Sequence, residues 1–202
     1  KYGLPVYLTE ATLVNVRLNV RKELLHYFSS HERIKISNLT IKAFPKFHDA
    51  CDPHSFIIQN EEVCVGVFTD IGKVCEQIIY HFKQCHAVFL EANYDAAMLA
   101  AGNYPYFLKN RISSESGHLS NSAALELFCL HKSNKLTHLI LSHLSKNNNS
   151  SELVQRIFDE HAGEIKIIVA SRYNETEVYH IRASAIKTGK INYVPAAVQL
   201  SM

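Results

Sequence analysis

Apolar residues recur along the chain in two rhythms. Short continuous or alternating runs predict strands at residues 5–8, 34–36, 39–44, 56–59, 63–68, 87–90, 137–141, 165–170 and 177–181. Ser37-Asn38 reads as the turn between the second and third of these, and Asn60-Glu61-Glu62 as the turn of a hairpin. Spacings of three and four predict helices. One starts at Thr9 or Glu10 and carries Leu13, Val14, Val16, Val20, Leu24 and Leu25. Another runs from Gly72 to about Lys83, with Val74, Ile78, Ile79 and Phe82 on one face. Two short helices over 94–111 break before Pro105. Strong helices follow at 120–131 and, capped by Ser150 or Ser151, to about His161. Asn147-Asn148-Asn149 reads as a polar loop, and 182–202 is poorly patterned, an extension or arm. Strands alternate with helices and the interior strands are apolar throughout, which is an α/β layered fold.

The 202 residues, 47% apolar and 20% charged, suit one globular domain and exclude a disordered chain. A net charge of +2 is too small to imply polyanion binding by bulk charge. No apolar run reaches the length of a membrane span and no signal peptide opens the chain. The five cysteines are scattered without a Cys-x-x-Cys pair, which excludes a disulfide framework or zinc ribbon and predicts free thiols in a reducing cytoplasm. Twelve histidines against no tryptophan direct attention to metals.

Four predicted strands end in an ionisable or ligand-type side chain. His48 follows 39–44, Asp70 follows 63–68, Glu91 follows 87–90 and His143 follows 137–141. Strand C-termini are where layered α/β folds assemble sites. Two imidazoles and a carboxylate suit zinc, manganese or iron, and an aspartate between imidazoles can bridge two cations. Each residue has a plainer reading as well. A lone histidine is more often structural, Asp70 can cap the helix beginning near Gly72, and Glu91 can cap or pair. The conjunction of four strand ends favours a site. His118, after Gly117 and at the mouth of the helix 120–131, adds an imidazole where an anion is favoured. Tyr104 and Tyr106, with Lys109 and Arg111, can line a nucleic-acid groove, although helix packing is the slightly favoured reading of the two tyrosines.

Phe68-Thr-Asp-Ile-Gly72, Leu90-Glu-Ala-Asn-Tyr-Asp95, Asn103-Tyr-Pro-Tyr-Phe-Leu-Lys-Asn-Arg-Ile112, Gly117-His-Leu-Ser-Asn121 and Leu141-Ser-His-Leu-Ser-Lys-Asn-Asn-Asn149 resemble the metallo-β-lactamase superfamily. Within it they are most similar to the WalJ/YycJ-like branch of metal-dependent phosphodiesterases that act as DNA exonucleases. The resemblance runs from residue 1 to about 181. It implies a four-layer αββα sandwich with its N-terminal part missing, so that 1–181 would be the C-terminal two-thirds of one metallo-hydrolase domain. It implies a cytoplasmic enzyme with two divalent ions, zinc or manganese, and DNA as substrate. His48, Asp70 and His143 would be metal ligands, Asp70 bridging. His118 would be the proton donor or phosphate ligand beside the scissile phosphate, oriented by Glu91. Lys109, Arg111 and Asn121 would contact substrate.

One departure is large. The superfamily signature His-x-His-x-Asp-His, which supplies most metal ligands, occurs nowhere in the 202 residues. In the family it lies just before the segment similar to Tyr2–Glu10, and Lys1 opens in what reads as a loop feeding a buried strand. Two further readings therefore stand beside the nuclease: a superfamily hydrolase of a small phosphodiester or ester, and a non-catalytic binding module with the fold.

Overall fold

The structure, a computed structural model, describes residues 2–183. Its frame is a seven-stranded sheet built in chain order. Strands β3 (Arg33–Ile36), β4 (Leu39–Pro45), β5 (His54–Gln59) and β6 (Cys64–Phe68) form an antiparallel meander. From β6 onward, β7 (Ala87–Glu91), β8 (His138–Ser142) and β9 (Lys166–Val169) add in parallel. Parallel strands need long crossovers, and helices supply them. Helix α2 (Glu76–Phe82) joins β6 to β7, and α6 (Ser151–Asp159) joins β8 to β9. Three helices, α3 (Ala96–Ala101), α4 (Tyr106–Ser113) and α5 (Asn121–His131), lie between β7 and β8. A separate pair, β1 (Val6–Leu8) and β2 (Leu25–Tyr27), is parallel and flanks helix α1 (Glu10–Asn15).

One face of the sheet meets α2, α5 and α6 in a core that includes Phe44, Phe68, Phe82, Leu90, Phe128, Leu141 and Phe158, each 2% exposed or less. The register sets another apolar row across the sheet from Phe56 through Val67, Phe89 and Ile140 to Ile168. Phe28 packs edge-on against Phe56 at one end of this row, and Tyr179 and Ile181 pack against Ile140 and Ile168 at the other. Phe89 in its middle remains 40% exposed. The helices and their sheet are thus two layers of an αββα sandwich.

Most predicted elements are present, with three corrections. The helix starting after the Thr9 cap stops at Asn15, where Val16 turns extended. Val14, Val16 and Leu18 are exposed, so no buried face supports the β-branched stretch that follows. The helix expected from Gly72 begins at Glu76, because residues 69–75 are drawn into the loop beside β6 and the Gly72 amide donates to the Phe47 carbonyl at 2.7 Å. Residues 177–181 form no strand, although Glu177 pairs with Lys166 at 2.9 Å. The expected extension at 182–202 lies, beyond Ala183, outside the described residues.

Among the remaining histidines, His81 on α2 is buried and stacks on Phe44 with ring centroids 4.2 Å apart. Burial, reinforced by the charges of Lys42 and His31, pulls its pKa down to about 4. The unfolded chain therefore binds this proton more readily, with a reference value near 6.5. Stability supplied by neutral His81 is complete above that value and is lost as pH falls through about 4. Urea titrations at stepped pH should show this acid-side loss, and His81→Leu should flatten it.

Candidate metal centre and catalytic cleft

The site is built around the carboxylate that ends β7. Glu91 is 0% exposed, a position a charged side chain tolerates only when its oxygens are satisfied. Its Oε2 accepts the backbone amides of Ile71 at 2.6 Å and Leu119 at 3.3 Å. Its Oε1 lies 2.7 Å from His118 Nδ1 and 2.8 Å from His143 Nδ1. Burial pushes the Glu91 pKa up, and the bonds from His118, His143 and the Ile71 amide more than offset it, so the group stays ionised. The same bond holds the His143 pKa above the usual imidazole range against the opposing effect of burial. Capping and simple surface pairing are both excluded for Glu91. Capping is excluded for Asp70 too, since the N-cap of α2 is Cys75.

Asp70 and His143 both sit in the left-handed backbone region, with φ of 53° and 58°. Neither is glycine, and such positions persist only where neighbours hold them. Asn93 Nδ2 donates to the His143 carbonyl at 2.7 Å. Behind it, Asn121 and Asn149 exchange two amide hydrogen bonds of 2.9 Å, and Asn149 also donates to the Ala92 and Asn93 carbonyls. The loop expected to be polar at 147–149 is thus partly buried, Asn148 and Asn149 being 1% and 6% exposed. These amides tie together the loops that follow β7, precede α5 and follow β8. Gly117 closes the frame, because a Cβ there would fall 2.2 Å from the Arg111 carbonyl oxygen.

His48 points its Nδ1 at the Gly117 carbonyl, 2.9 Å away. With that nitrogen donating, Nε2 is the one left for a ligand, 3.7 Å from Asp70 Oδ1. Asp70, Glu91, His118 and His143 each offer a ligand atom within 4.8 Å of the others. His48 stands just outside that group. Both Glu91 oxygens are occupied, so Glu91 is poorly placed to ligate, whereas Asp70 Oδ1 lies 3.5 Å from His143 and faces both flanking imidazoles. The His48 and His143 rings stand on either side of His118, with centroids 5.2 and 5.1 Å from it. Two imidazoles and a carboxylate form a donor set suited to a borderline divalent cation.

A cleft of about 360 Å³ opens over this group, lined by His118, His143, Asn93, Arg111, Lys146 and Arg172 among others. Of the expected substrate contacts, Arg111 is on its wall and pairs with Asp49, whose carboxyl it holds below the usual range. Lys109 and Asn121 are not on it. Lys109 Nζ donates to the Ala100 carbonyl at 2.6 Å, and Asn121 is 3% exposed with its amide spent on Asn149. The sequence reading missed Asp49, Asn93, Lys146, Arg172 and Asn149. Asn93 and Asn149 lie inside motifs already singled out, which was the available signal.

No family model matches the chain. Over 158 residues, 77% of its length, it is 30% identical to the exodeoxyribonuclease YycJ of Bacillus anthracis, covering 60% of that protein. It is also 30% identical over 158 residues to the exodeoxyribonuclease WalJ of Streptococcus pneumoniae, covering 76% of this chain and 59% of the relative. Among solved structures, the metallo-β-lactamase fold protein YhfI from Bacillus subtilis superposes with a TM-score of 0.63 at 14% identity, covering 83% of this chain and 62% of that one. The chain has the metallo-β-lactamase fold. Zinc-bound PqqB from Methylobacterium extorquens superposes with a TM-score of 0.58 at 12% identity, over 84% of this chain and 64% of that one. The resemblance read from the five motifs is thereby supported at the level of superfamily and branch. The chain spans about 60% of the length of the relatives it matches.

Asn149→Ala should destabilise this metallo-β-lactamase-fold chain by about 2–4 kcal/mol in urea unfolding, because it strands several buried amides and carbonyls at once.

Proposed function

We propose that the complete protein is a metal-dependent hydrolase of phosphodiester bonds, a nuclease acting on DNA from an end. The observation that carries this reading is the buried Glu91 carboxylate bonded to both His118 and His143, the two histidines that line the cleft. The exodeoxyribonuclease relatives favour DNA over a small ester. His48, Asp70 and His143 would be ligands to two divalent ions, zinc or manganese, with Asp70 the residue that could serve both. Three ligands are fewer than two such ions need, and the His-x-His-x-Asp-His signature that supplies the others in the family does not occur in these 202 residues. When bound, the ions would activate a water and neutralise the phosphate. No described helix is long and apolar enough to cross a membrane. All five cysteines are free, which fits the cytoplasm as compartment.

The chain's own residues have distinct tasks in this scheme. His118 is the catalytic residue. Its Nδ1 is engaged by Glu91, so Nε2 is left to protonate the leaving oxygen. Glu91 is a positioning residue that fixes the tautomer of His118 and the orientation of His143 together. Arg111 receives the substrate phosphate, oriented by Asp49. Lys46, whose Nζ donates to the Thr69 carbonyl at 2.7 Å, supplies a positive charge beneath Asp70 and Glu91.

Elemental analysis of the complete protein should find about two transition-metal ions per chain, and end-labelled DNA should be degraded only with metal present. A protein that takes up no metal from zinc or manganese would instead be a binding module. Asp70→Ala should remove at least one ion, and retention of both would refute the bridging role. His118→Ala should keep its metal while turnover falls by roughly 10²–10⁴. Glu91→Gln should lower turnover in the same direction. The double variant should be worse than His118→Ala, because Glu91 also orients His143.

A further inference from the structure

The cleft over the metal centre continues beyond His143. A second cavity, of about 470 Å³, shares His143, Leu144, Ser145, Lys146 and Arg172 with it and runs on to the loops before α6 and after β9. Of the two tyrosines singled out in the sequence, Tyr104 lines the cleft. Tyr106 lines neither space, and at 79% exposure it is not explained by helix packing. Arg172 belongs to both linings. It donates to the Leu144 carbonyl at 2.8 Å, which holds the guanidinium in place while using only part of its donor capacity. Lys146 is exposed on the same lining, and neither cation forms an ion pair among the described residues.

Three serines add donors to the second cavity. Ser145 Oγ accepts the Asn148 backbone amide at 3.3 Å, and Ser150 Oγ accepts the Leu153 amide at 3.1 Å. Ser171 Oγ accepts the Tyr173 and Asn174 amides at 3.0 and 3.1 Å. A hydroxyl that accepts from the backbone keeps its own proton to give to a ligand. The Asn149 side-chain oxygen, which would otherwise offer an acceptor here, is spent on the Asn121 side chain and the Ser150 amide. Among the described residues, no acidic side chain lines this cavity.

Two cations and three hydroxyl protons, with no carboxylate among them, match an anion whose several oxygens only accept hydrogen bonds. A phosphate group has that chemistry. Because His143 lines both spaces, an anion in the second cavity lies next to whatever occupies the metal centre. We propose that this cavity is a second phosphate subsite, in which Lys146, Arg172 and the hydroxyls of Ser145, Ser150 and Ser171 hold a phosphate neighbouring the scissile one on the same strand. This rests on the phosphodiesterase reading and deepens it. The preferred substrate carries at least two phosphates, and the second one fixes which bond lies at the metal centre.

The test uses the complete protein and a thymidine dinucleotide in three forms: without a terminal phosphate, with one at its 5′ end, and with one at its 3′ end. Binding is followed by calorimetry in EDTA and turnover with metal present. A terminal phosphate at one end, and not at the other, should raise affinity about tenfold or more and lower KM by a similar factor, since bonds to a charged group are the strong ones. In Lys146→Ala/Arg172→Ala that advantage should shrink to about one, whereas Lys146→Arg should keep most of it. Both side chains are exposed, so the double variant should unfold at the wild-type temperature. Equal binding and KM for the three forms, with cleavage intact, would overturn the subsite and leave the hydrolase. An equal gain at both ends would also overturn it, because bulk charge and not a built site would then be responsible. So would an advantage that persists in the double variant, or inorganic phosphate binding as tightly as the phosphorylated dinucleotide. A one-ended advantage in EDTA that the double variant loses, with no cleavage when metal is added, would support the phosphate site and remove the phosphodiesterase reading. A wild type that neither binds nor cleaves any of the three would remove both.

Discussion

A fully buried carboxylate needs several donors, and Glu91 obtains them from three separate loops. The Ile71 amide comes from the loop after β6, the Leu119 amide and His118 from the segment before α5, and His143 from the turn after β8. An unpaired charge at this depth would be strongly unfavourable, so the loops are stable only together. The two strand-end residues with left-handed backbone, Asp70 and His143, stand directly beside that carboxylate or one residue from its donor. Folding the core and aligning the reactive side chains are in this sense one event.

Around the carboxylate the loops are locked by neutral groups. The Asn93, Asn121 and Asn149 amides bond backbone carbonyls and each other where water has little access. Gly72 and Gly117 allow backbone segments to touch, since a Cβ at Gly72 would meet the Glu115 carbonyl oxygen at 2.1 Å. Both devices act without charge. They can hold imidazoles in place without competing for a cation or altering the field of the cleft.

The molecule is asymmetric about this centre. Beneath it lies a dry core of phenylalanines and leucines. Above it the cleft is lined by the cations Arg111, Lys146 and Arg172, the first of them on a helix with no buried residue. The far face of the sheet carries an apolar row that Phe28, Tyr179 and Ile181 cover at its ends. That row is the kind of surface on which a second sheet packs in a layered sandwich.

What the sequence determined by itself was local. Continuous apolar runs announced β7 and β8, an apolar face announced α5, a serine cap announced α6, and four strand ends announced His48, Asp70, Glu91 and His143 as one group. These signals survive in one dimension because periodicity and capping involve residues a few positions apart. Tertiary structure decided the rest. It truncated the helix after Thr9, which had no face to bury, and it left 177–181 without a strand partner. It turned Asn149 from a loop residue into a buried clamp and Asn121 from an expected substrate contact into its partner. It also placed Lys146 and Arg172 on the lining of the same cleft as Arg111. The clamp depends on contacts across 28 to 57 positions of chain, a span over which local pattern carries no information about proximity.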